Sequence, residues 1–135
     1  MAYRWISGAR WPANERGSAV VEFALVTPLL LMLALGVIQL VLALHVRATL
    51  TSAAAEGARA AALAGADPLA GVARTRALLE QNVAGAAVDE VSARRTVVGG
   101  LPVMAVRIEA RLPLAGLLGP AILSVEGHAL REEGQ

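Results

Sequence analysis

Arg16-Gly17-Ser18-Ala19-Val20-Val21-Glu22-Phe23-Ala24-Leu25-Val26-Thr27-Pro28 opens the longest apolar run of the chain. After Glu22 no charged residue occurs until Arg47. As an α-helix the uncharged window from Phe23 to Val46 spans ~36 Å, more than the ~30 Å hydrocarbon core of a bilayer. Thr27, Gln39 and His45 are its polar members, and Leu, Val and Ala surround the helix axis without leaving a polar face. A chain of 135 residues offers no second apolar layer large enough to enclose such a helix. The window therefore predicts a membrane-inserted helix, with a buried core helix as the bland alternative.

Charge sets the expected orientation. Arg4, Arg10 and Arg16 precede the run with one acid, Glu15, among them, and Arg47 is the nearest cation beyond it. The positive-inside bias puts the N-terminus in the cytoplasm and the bulk of the chain outside. The expected topology is a single crossing of the membrane.

Composition narrows the function classes. The chain is 56% hydrophobic with a net charge of +1, which gives no argument for nucleic-acid binding. All 12 basic residues are Arg, a bias that codon usage explains more simply than function. There is no Cys, which removes disulfides, thiolate metal sites and Cys nucleophiles. The exported part must rely on its core, its membrane helix or a partner.

The N-terminus departs from an ordinary secretory signal. The apolar run exceeds the usual h-region, and the first A-x-A-like sites, Ala53 to Ala55, sit in a strongly helical Ala-rich stretch. An uncleaved signal-anchor fits better. A third arrangement fits better still: Arg16-Gly17 ends a basic leader, and Glu22 is the fifth residue after the glycine. This resembles the processing site of type IV pilin-like proteins. The resemblance implies a cut after Gly17 by a membrane aspartyl peptidase (a prepilin peptidase), leaving a new α-amino group on Ser18. Glu22 then lies one helical turn away. A buried unpaired carboxylate costs several kcal/mol and a paired one much less. Glu22 is thus expected to act as an assembly carboxylate that rewards one register against an α-amino group; its bland reading is an idle residue snorkelling to the interface.

The segment from Gly17 through Leu31 also resembles the TadE-like family, which carries a small residue pair, a Val-Glu-Phe-Ala-Leu core and a Pro at the place of Pro28. Thr51-Ser52-Ala53-Ala54-Ala55-Glu56-Gly57-Ala58-Arg59-Ala60-Ala61 is similar to that family's second block. Gln39 departs from the pattern, standing where many relatives have an acid. The resemblance implies a pseudopilin or minor pilin of the tight-adherence (Flp pilus) secretion machinery. The implied partners are the lipid bilayer, prepilin peptidase, other pilin or pseudopilin subunits and the pilus assembly platform, with no nucleic acid, no small-molecule substrate and no cofactor.

Beyond the membrane run, Arg47 to Gly65 has high helix propensity. Ala53, Gly57, Ala61 and Gly65 recur every four residues and make a small-residue face suited to close helix packing, unless the abundance of Ala produces the row by chance. Glu56 and Arg59 form an expected i,i+3 pair. Asp67-Pro68 signals a helix start, and Leu69, Val72, Ala73, Arg76, Leu79 and Val83 give an amphipathic helix from about Pro68 to Val83, ended by Gly85. Strands are expected over Val88 to Val98, over Met104 to Leu112 and around Leu123 to Ala129, with Gly99-Gly100 as a turn, Pro113 to Pro120 as a loop and Arg131 to Gln135 as a polar tail.

The expected fold is α+β, pilin-like: a long N-terminal transmembrane helix continuing outward, a second amphipathic helix and a small antiparallel sheet of about three strands. Its expected division is a cleaved leader 1–17, transmembrane helix 18–46, helix extension 47–66 and an extracytoplasmic domain 67–135.

Catalytic chemistry finds no foothold, and no enzyme is expected. His45 sits at the outer edge of the run, and His128 shares a strand face with Glu126 without the three or four ligands that a metal needs. No Ser has a nucleophile-elbow context, and no phosphate-binding glycine pattern occurs. Asp89 and Glu90 read as solvated turn acids, and Arg94-Arg95 as a solvated strand edge. The competing function is an uncleaved, membrane-anchored extracytoplasmic binding module.

Overall fold

The computed structural model describes residues 15–63, 65, 67–112, 119 and 121–131. The expected leader from 1 to 14, the 113–118 part of the expected loop and the tail from 132 lie outside the described residues. The elements in chain order are helix α1 (Glu15–Leu63), helix α2 (Pro68–Glu80), a 3-10 turn (Val83–Ala87), and strands β1 (Val88–Val98), β2 (Leu101–Leu112) and β3 (Ala121–Leu130). The α+β expectation of two helices and a three-stranded antiparallel sheet holds, with strand order β1-β2-β3.

The chain divides into two compact units, Met1–Ile38 and Gln39–Gln135. In the first, the described residues are the N-terminal part of α1. Phe23, Leu25, Leu29 and Leu31 are all exposed. A helix that is apolar all round and unburied is built for a nonaqueous solvent. An 18-residue window of α1 reaches a mean hydropathy of 2.5 with none of it buried, so α1 is long and apolar enough to cross a membrane.

The second unit is a small domain built on the C-terminal part of α1. Leu50, Ala53, Ala54 and Ala58 of α1 form the core with Leu79, Val91, Val106, Ile108, Ala110 and Val125. Val46 is the first α1 residue packed against that core. Ala61 and Met104 form a second buried cluster.

Helix α2 begins as its sequence dictates. Asp67 is the N-cap, its Oδ1 accepting from the Leu69 N–H at 2.9 Å, and Pro68 occupies the first helical position. The helix stops at Glu80 instead of Val83, because Asn82 turns its amide back to donate to the Leu78 carbonyl at 2.9 Å and the chain tightens into the 3-10 turn. Its buried face also differs from the expected apolar repeat. Gly71, Thr75 and Leu79 are buried, whereas Leu69 is 75% exposed.

Strand β1 spans the expected residues, and Gly99 and Gly100, with φ of 60° and 81°, make the tight turn that leads into β2. β2 begins at Leu101, earlier than Met104, and Val103 through Val106 are buried without a break. The small Ala105 lies in register between Arg94 and His128, whose long side chains flank it. β3 keeps its alternation: Val125 and Gly127 are buried between exposed Ser124 and His128. A Cβ on Gly127 would lie 2.5 Å from the Ala54 carbonyl carbon, so β3 and α1 touch backbone to backbone.

Candidate processing and assembly segment

Gly17 and Ser18 lie in the first turn of α1, which starts at Glu15. The bond between them is therefore helical. Glycine weakens a helix by about 1 kcal/mol relative to Ala, which lowers the cost of opening the backbone at Gly17. Space around Gly17 is open: a Cβ there would meet nothing within 4 Å.

Glu22 stands four residues after Ser18, on the same helix face. It is exposed and has no hydrogen-bond or ion-pair partner among the described residues. Phe23 beside it is 72% exposed. Gly17, Ser18 and Glu22 thus form a short accessible strip whose single charge has no partner among the described residues.

The small-residue row leads to a different place. Ala53, Gly57 and Ala61 are buried on α1, while Gly65 stands beyond the helix at φ 70° and leaves the row. The partner of the row is α2 of the same chain. A Cβ on Gly57 would collide with Thr75 Oγ1 and lie 2.9 Å from the Gly71 carbonyl oxygen. Reciprocally, a Cβ on Gly71 would lie 3.0 Å from the Gly57 carbonyl oxygen and 2.9 Å from the Ala61 Cβ. The two helices cross with backbone against backbone, and Thr75 is accommodated there because its hydroxyl donates to the Gly71 carbonyl at 2.8 Å.

The residues around Gly57 take up the rest of that junction. Ala58 is fully buried. Glu56 receives Arg59 at 3.4 Å, as the spacing predicts, and also Arg74 of α2 at 3.8 Å. Both pairs are substantially exposed, so each contributes little, and only the Arg74 pair bridges the two helices. Gly71 and Thr75 escaped the sequence reading; an isolated glycine inside the α2 pattern was the available signal for close approach.

Other polar residues form ion pairs on the strands. Glu126 accepts from Arg94 at 2.9 Å and lies 3.1 Å from His128 Nε2. Arg111 pairs with Asp89 at 2.9 Å. Asp89 is the extra residue of a β-bulge, where the β1–β2 register slips between Val88 and Glu90. The solvated acid expected at Asp89 therefore has a partner.

Residues 17–59 match the model of the TadE-like protein family. The match opens at Gly17 and closes at Arg59, and so holds both the strip with Glu22 and the Glu56–Arg59 block. No curated protein and no solved structure matches the chain.

Proposed function

We propose, from a TadE-like match that begins on Gly17, that this protein is a pilin-like component of a tight-adherence pilus, cut after Gly17 and assembled through Glu22. The coarser statement, a TadE-like segment on a helix apolar enough to cross a membrane, rests on the family match and on α1. The finer one is carried by a single observation: Glu22 is exposed and, among the described residues, unpartnered at the head of the apolar run, five residues after the glycine.

Three physical points support the mechanism. Gly17 and Ser18 are exposed with open space around the glycine, so the bond between them is accessible to a peptidase. Cleavage leaves an ammonium on Ser18, and a carboxylate four residues on is within one helical turn of it. In a medium of low dielectric, a Glu22 that meets such an ammonium on a neighbouring subunit escapes the desolvation penalty only at one axial register. The basic leader holds the N-terminus in the cytoplasm, and the domain on the C-terminal part of α1 is carried to the other side. In this role the protein is structural and not an enzyme.

The test is the intact mass of the protein purified from cells with and without a prepilin peptidase. The expected product begins at Ser18 when the peptidase is present and keeps residues 1–17 when it is absent. Retention of the leader in both strains overturns the proposal and leaves the anchored binding module.

A further inference from the structure

A groove of about 720 Å³ lies in the second unit where α1 meets the 3-10 turn and the ends of β1 and β2. Leu42, Ala43 and Val46 of α1 form one wall, and Ala84, Ala86 and Leu112 contribute to the other. Its polar groups include Asp89 and Arg111, the ion pair created by the bulge. Arg111 is 69% and Asp89 44% exposed, so both remain open to a ligand.

The α1 wall is part of the membrane-length run itself. Gln39 to Val46 are the last residues of the uncharged window, and all of the groove's α1 residues from Gln39 to Thr49 lie within roughly 15 Å along the helix axis. A helix that uses Phe23 to Val46 to cross a ~30 Å core has its final turns at the hydrocarbon–headgroup boundary. On the opposite wall Ala84, Ala86 and Ala87 of the 3-10 turn are uncharged. An apolar cleft at that depth continues the surface already facing acyl chains, and its charged end carries one cation and one anion.

We infer that this groove is a lipid site: it holds an acyl chain of an outer-leaflet phospholipid, with the Arg111–Asp89 pair meeting a zwitterionic headgroup, Arg111 toward the phosphate and Asp89 toward the amine. The volume suits a single small ligand, and the mixed-sign end matches a headgroup carrying both charges. The inference rests on the membrane-crossing reading of α1 and adds to it a second contact with the bilayer.

The absence of Cys makes the test direct. Single-cysteine variants Ala86→Cys, Val97→Cys and Leu31→Cys of the full chain are spin-labelled and reconstituted in phosphatidylethanolamine/phosphatidylglycerol vesicles. Collisional relaxation by oxygen is compared with that by a water-soluble nickel chelate. Ala86 and Val97 are both exposed, so the labels are tolerated. The Leu31 label reports whether α1 is in the bilayer at all. The expected result is an oxygen-to-nickel ratio several-fold higher at Ala86 than at Val97, approaching that at Leu31. A label at Ala86 as accessible to nickel as the one at Val97, with Leu31 still lipid-exposed, overturns the lipid site alone. A low response to both reagents with dipolar broadening that vanishes on dilution with unlabelled chain assigns the groove to a second copy and also overturns it. A nickel-accessible Leu31 label sinks the membrane reading beneath both proposals.

Discussion

Two residues of α1 stand in opposite environments. Glu22 is exposed and without a partner among the described residues, whereas Gly57 is buried and sterically fixed. Glu22→Ala is expected to leave leader removal intact and to abolish assembly, seen as a mature-length protein in the membrane fraction and none in sheared fibres. Normal fibre yield from this variant would reduce Glu22 to an interface residue. Gly57→Val is expected to act on the fold. Its side chain meets Thr75 and the Gly71 carbonyl, which has no room to retreat, so overpacking of about 1–3 kcal/mol follows. A loss of roughly 5–20 °C in Tm of the detergent-solubilised chain, followed by circular dichroism, is the corresponding readout.

At the scale of elements, local chemistry was legible and tertiary contact was not. Asp67-Pro68 fixed the start of α2, and the alternation in β3 and the Gly99-Gly100 turn fixed the hairpin and strands, because capping and turn geometry depend on neighbouring residues alone. The buried face of α2 was read only in part: Val72 and Leu79 of the apolar repeat pack in the core, yet Leu69 is exposed and Gly71 and Thr75 are buried. The reason is the closeness of α1, which selects for small volume over hydrophobicity at the crossing. The same cause hid the partner of Ala53, Gly57 and Ala61, since a small-residue row does not name what it packs against. Asp89 looked like a solvated acid because a bulge, invisible to a period-two pattern, turns it to Arg111. The hairpin offers its own test. Gly99→Val forces a β-branched residue into the left-handed region and should cost about 1–2 kcal/mol, whereas Gly99→Asn should be nearly neutral. Urea midpoints of the two variants separate these outcomes.

At the scale of the whole molecule, the expected behaviour depends on charge on the two sides of an uncharged run. Replacing Arg4, Arg10 and Arg16 together by Glu removes the basic leader while leaving Phe23 to Val46 unchanged. The exported fraction should fall severalfold, measured by protease digestion of the C-terminal domain in spheroplasts; unchanged digestion would show that another feature orients the chain. The candidate strip from Gly17 to Glu22 was readable in sequence because a charge inside an apolar run stands out without any structure. The groove was not, because it is assembled from α1, the 3-10 turn and two strand ends.

The crossing of α1 with α2, and the contact of α1 with β3, use glycine at Gly57, Gly71 and Gly127. No smaller residue exists, so variation at these three positions has only one direction available. In a saturation mutagenesis map the apolar span should appear as a broad tolerant plateau exchanging Leu, Val, Ile and Ala freely. The three glycines should appear as isolated columns in which all nineteen alternatives are depleted. Such a map would locate the domain's tightest joints from fitness alone, with no coordinates.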